Sequence, residues 1–184
     1  MKIMVIGVGR LGSQVAFVTM LKLNPDELIL SDIKDLRGDI LDLQHAAKGM
    51  GITTLITDKK SPADFIILAL GASRSPTSLN EKDLLPLNKP LLEKVDIKEC
   101  LKPDTTIIVM TNPVREMTEF AKTIWPGHNV VNPEKYLSAI RDGKADGTEM
   151  IKTKGYTNFG PAVSAALLIE ELMSESHKRK AGIL

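Results

Sequence analysis

The feature that most constrains the fold of this 184-residue chain is a glycine-rich turn between an apolar run and a helical pattern. Residues 2–6 are typical of a buried strand, and the motif G-V-G-R-L-G follows directly over residues 7–12. A second apolar run then ends at Asp32, twenty positions after Gly12. A lone G-x-G-x-x-G is weak evidence. Strand, glycines, helix, second strand and terminal acid in this order are strong evidence for a dinucleotide site.

Each glycine of the motif has a separate physical use. Gly7 allows the strand to turn sharply into the helix, Gly9 lets the backbone approach a pyrophosphate, and Gly12 lets the helix lie close to the strand. The first turn of the helix has unpaired N–H groups and the positive end of the helix dipole, which suit a phosphate dianion. The alternative is an ordinary glycine turn followed by a surface aspartate.

Asp32 indicates which dinucleotide is bound. Its carboxylate can accept hydrogen bonds from a ribose 2′-hydroxyl and would repel a 2′-phosphate, so the sequence favours NAD over NADP. The basic residues Lys34 and Arg37 lie close by in the sequence and keep NADP open as an alternative.

Composition excludes several other classes of partner. The chain has 24 basic and 23 acidic residues, which argues against nucleic acid or an anionic membrane as the main partner, and aromatic residues are only 4%. Cys100 is the sole cysteine, so neither an intrachain disulfide nor a cysteine metal cluster is expected. The first apolar run is too short for a signal peptide, and no run reaches the roughly 20 apolar residues of a membrane span. We expect a cytoplasmic protein without a metal site.

Short apolar runs alternate with amphipathic stretches along the first 131 residues. The runs are Ile3–Ile6, Leu28–Leu30, Thr53–Ile56, Phe65–Leu70 and Thr106–Met110. The stretches with helical spacing are Leu11–Leu23, Gly38–Lys48, Leu84–Leu101 and Val114–Trp125, with Pro113 placed to start the last one. This alternation predicts an α/β fold with a doubly wound parallel sheet.

The pattern weakens after Val131, which predicts a division into a cofactor domain over residues 1–131 and a helical remnant over residues 132–184. Asn132–Thr148 is polar and suggests a helix fragment and a loop, and Thr153–Phe159 suggests a polar connection. Ala162–Ser176 has the spacing of a strong helix.

Several motifs of this chain resemble the lactate/malate dehydrogenase family, in particular archaeal malate dehydrogenases. Beside the first glycine motif and Asp32, the matching segments are Gly38–Ala46, Ala63–Phe65 leading to Gly71–Arg74, Asp83–Leu85 with Asn88, Thr111–Val114 and Lys154–Ala162. The resemblance implies a Rossmann domain, NAD-dependent interconversion of (S)-malate and oxaloacetate, and a homo-oligomer. A different Rossmann oxidoreductase fits the segments Gly38–Ala46 and Thr111–Val114 less well.

The resemblance also implies roles for individual residues. The implied cofactor contacts are Gly7, Val8, Gly9, Arg10, Leu11, Gly12, Asp32, Gly71, Asn88, Met110, Thr111 and Asn112. The implied substrate contacts are Arg74 and Asn112. Arg74 matches an arginine that binds the distal carboxylate of a dicarboxylic acid, which favours malate over lactate because a guanidinium binds a carboxylate at two points.

The chemistry of this family needs further groups that the sequence does not supply in an obvious form. A histidine paired with an aspartate moves the proton, one arginine on a mobile loop polarises the carbonyl, and another clamps the reacting carboxylate. Asn80 and Glu81 occupy the zone of the loop arginine, and Lys82 is the nearest cation. We find neither a Leu-Asp-x-x-Arg-type segment, with the aspartate and the clamp arginine, nor a Gly-Glu-His-Gly-type segment.

The three histidines, His45, His128 and His177, do not match the catalytic position, so the catalytic residues stay unassigned. The simplest interpretation is an internal deletion between about Val131 and Glu149, together with loss of the family's last strands. Two functions stay open: a malate dehydrogenase-like oxidoreductase, and a catalytically inactive NAD-binding or oligomerisation module. In the second, the apolar face of residues 163–172 is expected to be exposed.

Overall fold

One parallel sheet of six strands forms the centre of the described chain, and the computed structural model describes residues 1–72, 80–141 and 147–180. The strands are β1 (Lys2–Ile6), β2 (Glu27–Ser31), β3 (Leu55–Thr57), β4 (Phe65–Leu68), β5 (Thr106–Val109) and β6 (Asn129–Val131). Their order is β3-β2-β1-β4-β5-β6, and every neighbouring pair is parallel. The predicted doubly wound α/β fold is therefore confirmed.

Both faces of the sheet are covered, as the continuous apolar strands require. In the centre of the sheet, Val5 lies opposite Leu30 on β2 and Ile67 on β4, and Ile67 lies opposite Ile108 on β5. These four side chains point to one core, and the alternate residues of the same strands point to a second core on the other face.

Seven α-helices connect or cover the strands of the described chain. They are α1 (Arg10–Leu23), α2 (Arg37–Gly49), α3 (Leu85–Glu93), α4 (Val114–Ile124), α5 (Glu134–Arg141), α6 (Gly147–Lys154) and α7 (Phe159–Lys180). Buried residues of α1, α2 and α7 belong to the core on one face, and those of α3 and α4 to the core on the other. None of these helices is long and apolar enough to cross a membrane.

The predicted helix over Leu84–Leu101 is much shorter in the structure. It begins after a 3₁₀ turn at Glu81–Leu84, continues through Pro90, and ends at Glu93. The Asp96 carboxylate then accepts a hydrogen bond from the backbone N–H of Lys98 at 3.2 Å and starts a separate 3₁₀ turn. Aspartate side chains that bond to the backbone two residues ahead compete with helix continuation, which explains the break.

The segment after β6 contains more helix than its polar sequence predicts. The polar stretch Asn132–Thr148 includes all of α5, and α6 covers its last residues and the start of the expected connection at 153–159. The Asn132 carboxamide oxygen accepts a hydrogen bond from the Glu134 backbone N–H at 3.1 Å where α5 begins.

Most of the apolar face of α7 is buried, which contradicts the expectation that residues 163–172 are exposed. Ala165, Ala166 and Ile169 are fully buried. Among the apolar residues of this segment, only Val163 is exposed, with 37% of its surface accessible. α7 packs along α1, where Lys22 and Glu170 form an ion pair at 2.9 Å. The helix therefore completes the core of the sheet instead of presenting a bare apolar surface.

Candidate functional site

The strand order reverses between β1 and β4, and the crevice at the carboxyl ends of these strands is where open parallel sheets bind ligands. A cleft of about 650 Å³ lies at this point. One wall comes from the residues that follow β1, β4 and β5, and the other from residues within 133–141 and 151–164.

The three glycines of the first motif differ in what surrounds them. Gly7 has φ +89°, and a Cβ there would lie 2.5 Å from Leu70 Cα. A Cβ on Gly12 would lie 1.8 Å from the Gly7 carbonyl oxygen, so both positions serve close packing of strand and helix. A Cβ on Gly9 would meet nothing within 4 Å. Gly9 therefore borders open space directly before α1, where backbone N–H groups lack helical partners.

Asp32 lies just beyond β2 and is held by the backbone on two sides. One carboxylate oxygen accepts a 2.6 Å hydrogen bond from the Val8 N–H, and the other accepts bonds from the N–H groups of Ile33 (2.7 Å) and Lys34 (3.3 Å). These bonds use both acceptor sites of Oδ1 and one of Oδ2, so the half-buried carboxylate keeps a lone pair on Oδ2 for a hydroxyl donor. Beside it, the Ile33 side chain is fully exposed and offers an apolar surface.

The two basic residues near Asp32 are each paired with another acid. Lys34 Nζ lies 2.9 Å from an Asp39 oxygen. Arg37 donates two-point hydrogen bonds to Asp35 at 2.6–3.1 Å, and these bonds lower the pKa of Asp35 to about 2. Neither the Lys34 ammonium nor the Arg37 guanidinium contacts the Asp32 carboxylate in the described part of the chain.

Asn88 connects the loops that follow β4 and β5. Its side chain is fully buried, its oxygen accepts a bond from the Ala72 N–H at 2.7 Å, and its nitrogen donates to the Asn112 carbonyl at 2.6 Å. Gly71 has φ +125°, and a Cβ there would lie 2.7 Å from Asn88 Oδ1. Thr111 adds a bond from its hydroxyl to the Leu70 carbonyl at 2.7 Å. These contacts fix the floor of the cleft.

The structure brings most of the predicted contact residues together. Those that line the cleft are Gly9, Arg10, Leu11, Gly71, Met110, Thr111 and Asn112. Gly7, Val8, Gly12 and Asn88 lie behind this surface and shape it, and Asp32 lies beyond the end of the neighbouring β2. The predicted substrate contact Arg74 lies outside the described residues.

The second wall of the cleft contributes polar residues that the sequence analysis did not assign. They include Ser138, Arg141, Tyr156, Thr157 and Ser164. The Arg141 Nε is buried and has no hydrogen-bond partner among the described residues. Arg115, also in the cleft, is already neutralised by Glu134 at 2.6 Å. Arg141 is therefore a cation of the cleft that no described carboxylate compensates.

The sequence around Arg141 partly resembles the Leu-Asp-x-x-Arg-type segment. Residues 137–141 read Leu-Ser-Ala-Ile-Arg, which keeps the leucine and the arginine of a Leu-Asp-x-x-Arg-type segment and has Ser138 in place of the aspartate. The spacing between Leu137 and Arg141 fits such a segment, but the pattern is not recognised when an aspartate is required after the leucine.

The three histidines all lie outside the cleft. His45 is exposed on α2 and His177 is exposed on α7. His128 precedes β6, at the opposite end of the sheet from the carboxyl ends that form the cleft. Its Nδ1 is buried without a partner in the described part of the chain. Groups of three or more His, Cys, Asp and Glu side chains that could hold a metal ion are not found among the described residues.

Comparison with known proteins agrees with this geometry. Residues 1–131 match the family model described as lactate/malate dehydrogenase, NAD binding domain. Malate dehydrogenase from Bacillus licheniformis is 31% identical over 153 residues, which cover 76% of this chain and 48% of the relative. The chain thus spans about half the length of this relative.

Malate dehydrogenase from Archaeoglobus fulgidus matches over a longer range. It is 33% identical over 235 residues, covering 96% of this chain and 79% of the relative. The alignment is longer than the 184 residues of this chain, so the relative has internal positions without a counterpart here. The structure of that enzyme in complex with NADH superposes with a TM-score of 0.79 at 25% identity, covering 95% of this chain and 78% of that one.

Proposed function

We propose, from the premise that the chain belongs to the lactate/malate dehydrogenase family, that it binds NAD(H) in the cleft at the carboxyl ends of β1, β4 and β5. The observation that carries this proposal is Gly9, where a Cβ would meet nothing within 4 Å directly before α1. This opening lets a diphosphate approach the unpaired N–H groups of the first helical turn. Residues 71 and 110–112 line the same cleft and would contact the nicotinamide half.

The surroundings of Asp32 support NAD over NADP. The carboxylate can accept a hydrogen bond from a ribose hydroxyl and would repel a 2′-phosphate. The two cations that could attract such a phosphate, Lys34 and Arg37, are neutralised by Asp39 and Asp35. The exposed Ile33 side chain would give the adenine an apolar surface.

The reaction that we propose for this site is the interconversion of (S)-malate and oxaloacetate. When bound, NAD⁺ would accept the hydride that leaves carbon 2 of malate. Asn112 and Arg141 line the cleft where the substrate would lie. The Arg141 guanidinium, whose buried Nε has no hydrogen-bond partner among the described residues, suits a carboxylate at two points. Arg74 remains our proposed contact for the distal carboxylate, which distinguishes malate from lactate.

A second candidate function is NAD(H) and oxo-acid binding without efficient turnover. Oxidation of malate releases the hydroxyl proton, and a base must accept it. No histidine lines the cleft among the described residues, and Ser138 follows Leu137 where a Leu-Asp-x-x-Arg-type segment has its aspartate. These two observations favour the second candidate over rapid turnover. A role as an oligomerisation module has less support, because α7 buries most of its apolar face.

A steady-state assay with oxaloacetate and NADH, combined with calorimetric titration of NADH, separates the two candidates. Turnover well above the background without protein supports the dehydrogenase. Saturable NADH binding without turnover supports the binding module. A folded protein that binds no NADH at millimolar concentration contradicts both.

Arg141→Gln tests the substrate part of the site. We expect weaker oxaloacetate binding to the NADH complex and an unchanged dissociation constant for NADH. Arg115→Gln is the matched control in the same cleft. Because Glu134 already neutralises Arg115, its loss should change oxaloacetate binding less. Equal effects of the two substitutions would contradict the role of Arg141.

A further inference from the structure

The ring of Tyr156 connects the two walls of the cleft at the start of α1. The Arg10 guanidinium carbon lies 4.8 Å from the centroid of this ring, within the range of a cation–π contact. Arg10 is the first residue of α1, next to Gly9, and Tyr156 follows α6. Both line the cleft. The Arg10 guanidinium makes no hydrogen bond or ion pair with any described residue, so the ring is its main restraint.

A second cation lies against the same ring. Lys154 Nζ is 4.6 Å from the centroid of Tyr156 and 4.1 Å from that of Phe159, and it donates a 2.7 Å hydrogen bond to Asn158 Oδ1. No carboxylate among the described residues pairs with Lys154 or with Arg10. Lys154 is exposed and is not among the residues that line the cleft, so of the two cations on this ring only Arg10 belongs to the cleft.

We infer that Tyr156 is a positioning residue of the diphosphate site: its ring holds Arg10 over the opening at Gly9. This inference rests on the proposed binding of NAD(H). The physical reason is that a long arginine side chain loses conformational freedom when it contacts a phosphate, and a stacked arginine has already lost part of it. Recognition of the diphosphate then depends on residues beyond the glycine motif.

Titrations on the full chain test this role. NADH binding is followed by its fluorescence, and ADP-ribose and adenosine are measured as competitors. ADP-ribose contains the diphosphate, and adenosine contains no phosphate. Tyr156→Leu should weaken NADH and ADP-ribose binding by about three- to thirtyfold, the range of a cation–π contact, and leave adenosine binding unchanged. Tyr156→Phe should keep the wild-type affinity for NADH and ADP-ribose, because the aromatic ring that contacts Arg10 is retained.

A double-mutant cycle distinguishes positioning from a general effect on the fold. Arg10→Leu should weaken ADP-ribose binding, and Tyr156→Leu should add little to it, because the ring acts through Arg10. Additive losses, or equal weakening of adenosine and ADP-ribose by Tyr156→Leu, would overturn the inference. If Tyr156→Leu does not fold, Tyr156→Phe and Arg10→Leu still decide: loss of affinity in Tyr156→Phe, or unchanged affinity in Arg10→Leu, overturns it. A wild-type chain that binds no NADH contradicts the proposed function instead.

Discussion

Asn88 donates a 2.6 Å hydrogen bond from its buried side-chain nitrogen to the carbonyl oxygen of Asn112. This bond ties α3 to the loop that follows β5, and the same side chain also accepts the Ala72 N–H from the loop after β4. The two loops that form the floor of the cleft are therefore positioned by one amide group.

Asn88→Ala is expected to lower the free energy of unfolding by about 1–3 kcal/mol, because it removes the hydrogen bonds that a fully buried side chain makes to backbone groups of both loops. NADH binding should weaken in the same variant. Urea unfolding and NADH titration measure the two effects. Asn129→Ala is the control, since Asn129 is exposed at the other end of the sheet and makes one 3.2 Å bond to Thr106. Similar losses in both variants would contradict the role of Asn88.

A methyl group added at Gly12 should lower stability, whereas one added at Gly9 should weaken NADH binding. At Gly12 the Cβ would lie 1.8 Å from the Gly7 carbonyl oxygen, so Gly12→Ala should destabilise the fold by at least about 3 kcal/mol. Gly9→Ala should keep the unfolding temperature, because its Cβ meets nothing within 4 Å, and should weaken NADH binding by occupying the opening. Thermal unfolding followed by NADH titration compares them. A stable Gly9→Ala variant with wild-type NADH affinity would place the diphosphate elsewhere.

Asp32 should control the choice between NADH and NADPH. Asp32→Ser is expected to weaken NADH binding about tenfold or more, because a hydrogen bond to the charged carboxylate is lost. Adding Asp35→Ser frees Arg37 and should allow measurable NADPH binding. Asp42→Ser, an exposed acid on α2, is the control that leaves the preference unchanged. NADPH binding that does not improve in the Asp32→Ser, Asp35→Ser double variant would contradict this role of Asp32.

Tyr136 should make stability depend on alkaline pH. Burial and the hydrogen bond to Glu171 raise its pKa to about 12 from the ordinary value of 10.0. The folded chain holds the phenol proton more tightly than the unfolded chain, so this stabilisation is complete below pH 10 and is lost as the pH rises to 12. The difference in unfolding free energy between wild type and Tyr136→Phe should shrink over that interval. A difference that stays constant with pH would show that the phenol does not titrate with unfolding.

The parallel sheet could be predicted because each of its central strands is apolar on both faces. Residues such as Val5 and Ile67 are fully buried, and a run that is buried on both sides shows no polar alternation. The glycine motif and Asp32 could also be recognised in the sequence. The glycines depend on their own local backbone, and Asp32 contacts Val8, which the order of the strands places beside it.

The second wall of the cleft could not be predicted in the same way. The stack of Tyr156 on Arg10 joins residues far apart in the chain, and local spacing carries no information about such a contact. The burial of α7 against α1 depends on the same long-range packing. Arg141 is a different case, because its spacing from Leu137 was visible and only the change to Ser138 hid it.

Calorimetric titration of NADH into the folded wild-type chain tests whether the cleft is a dinucleotide site. We expect saturable binding of one NADH per chain, displaced by ADP-ribose and strongly weakened in Gly9→Ala. Absence of saturable binding at millimolar NADH would contradict this assignment of the cleft, and so would binding that Gly9→Ala leaves unchanged.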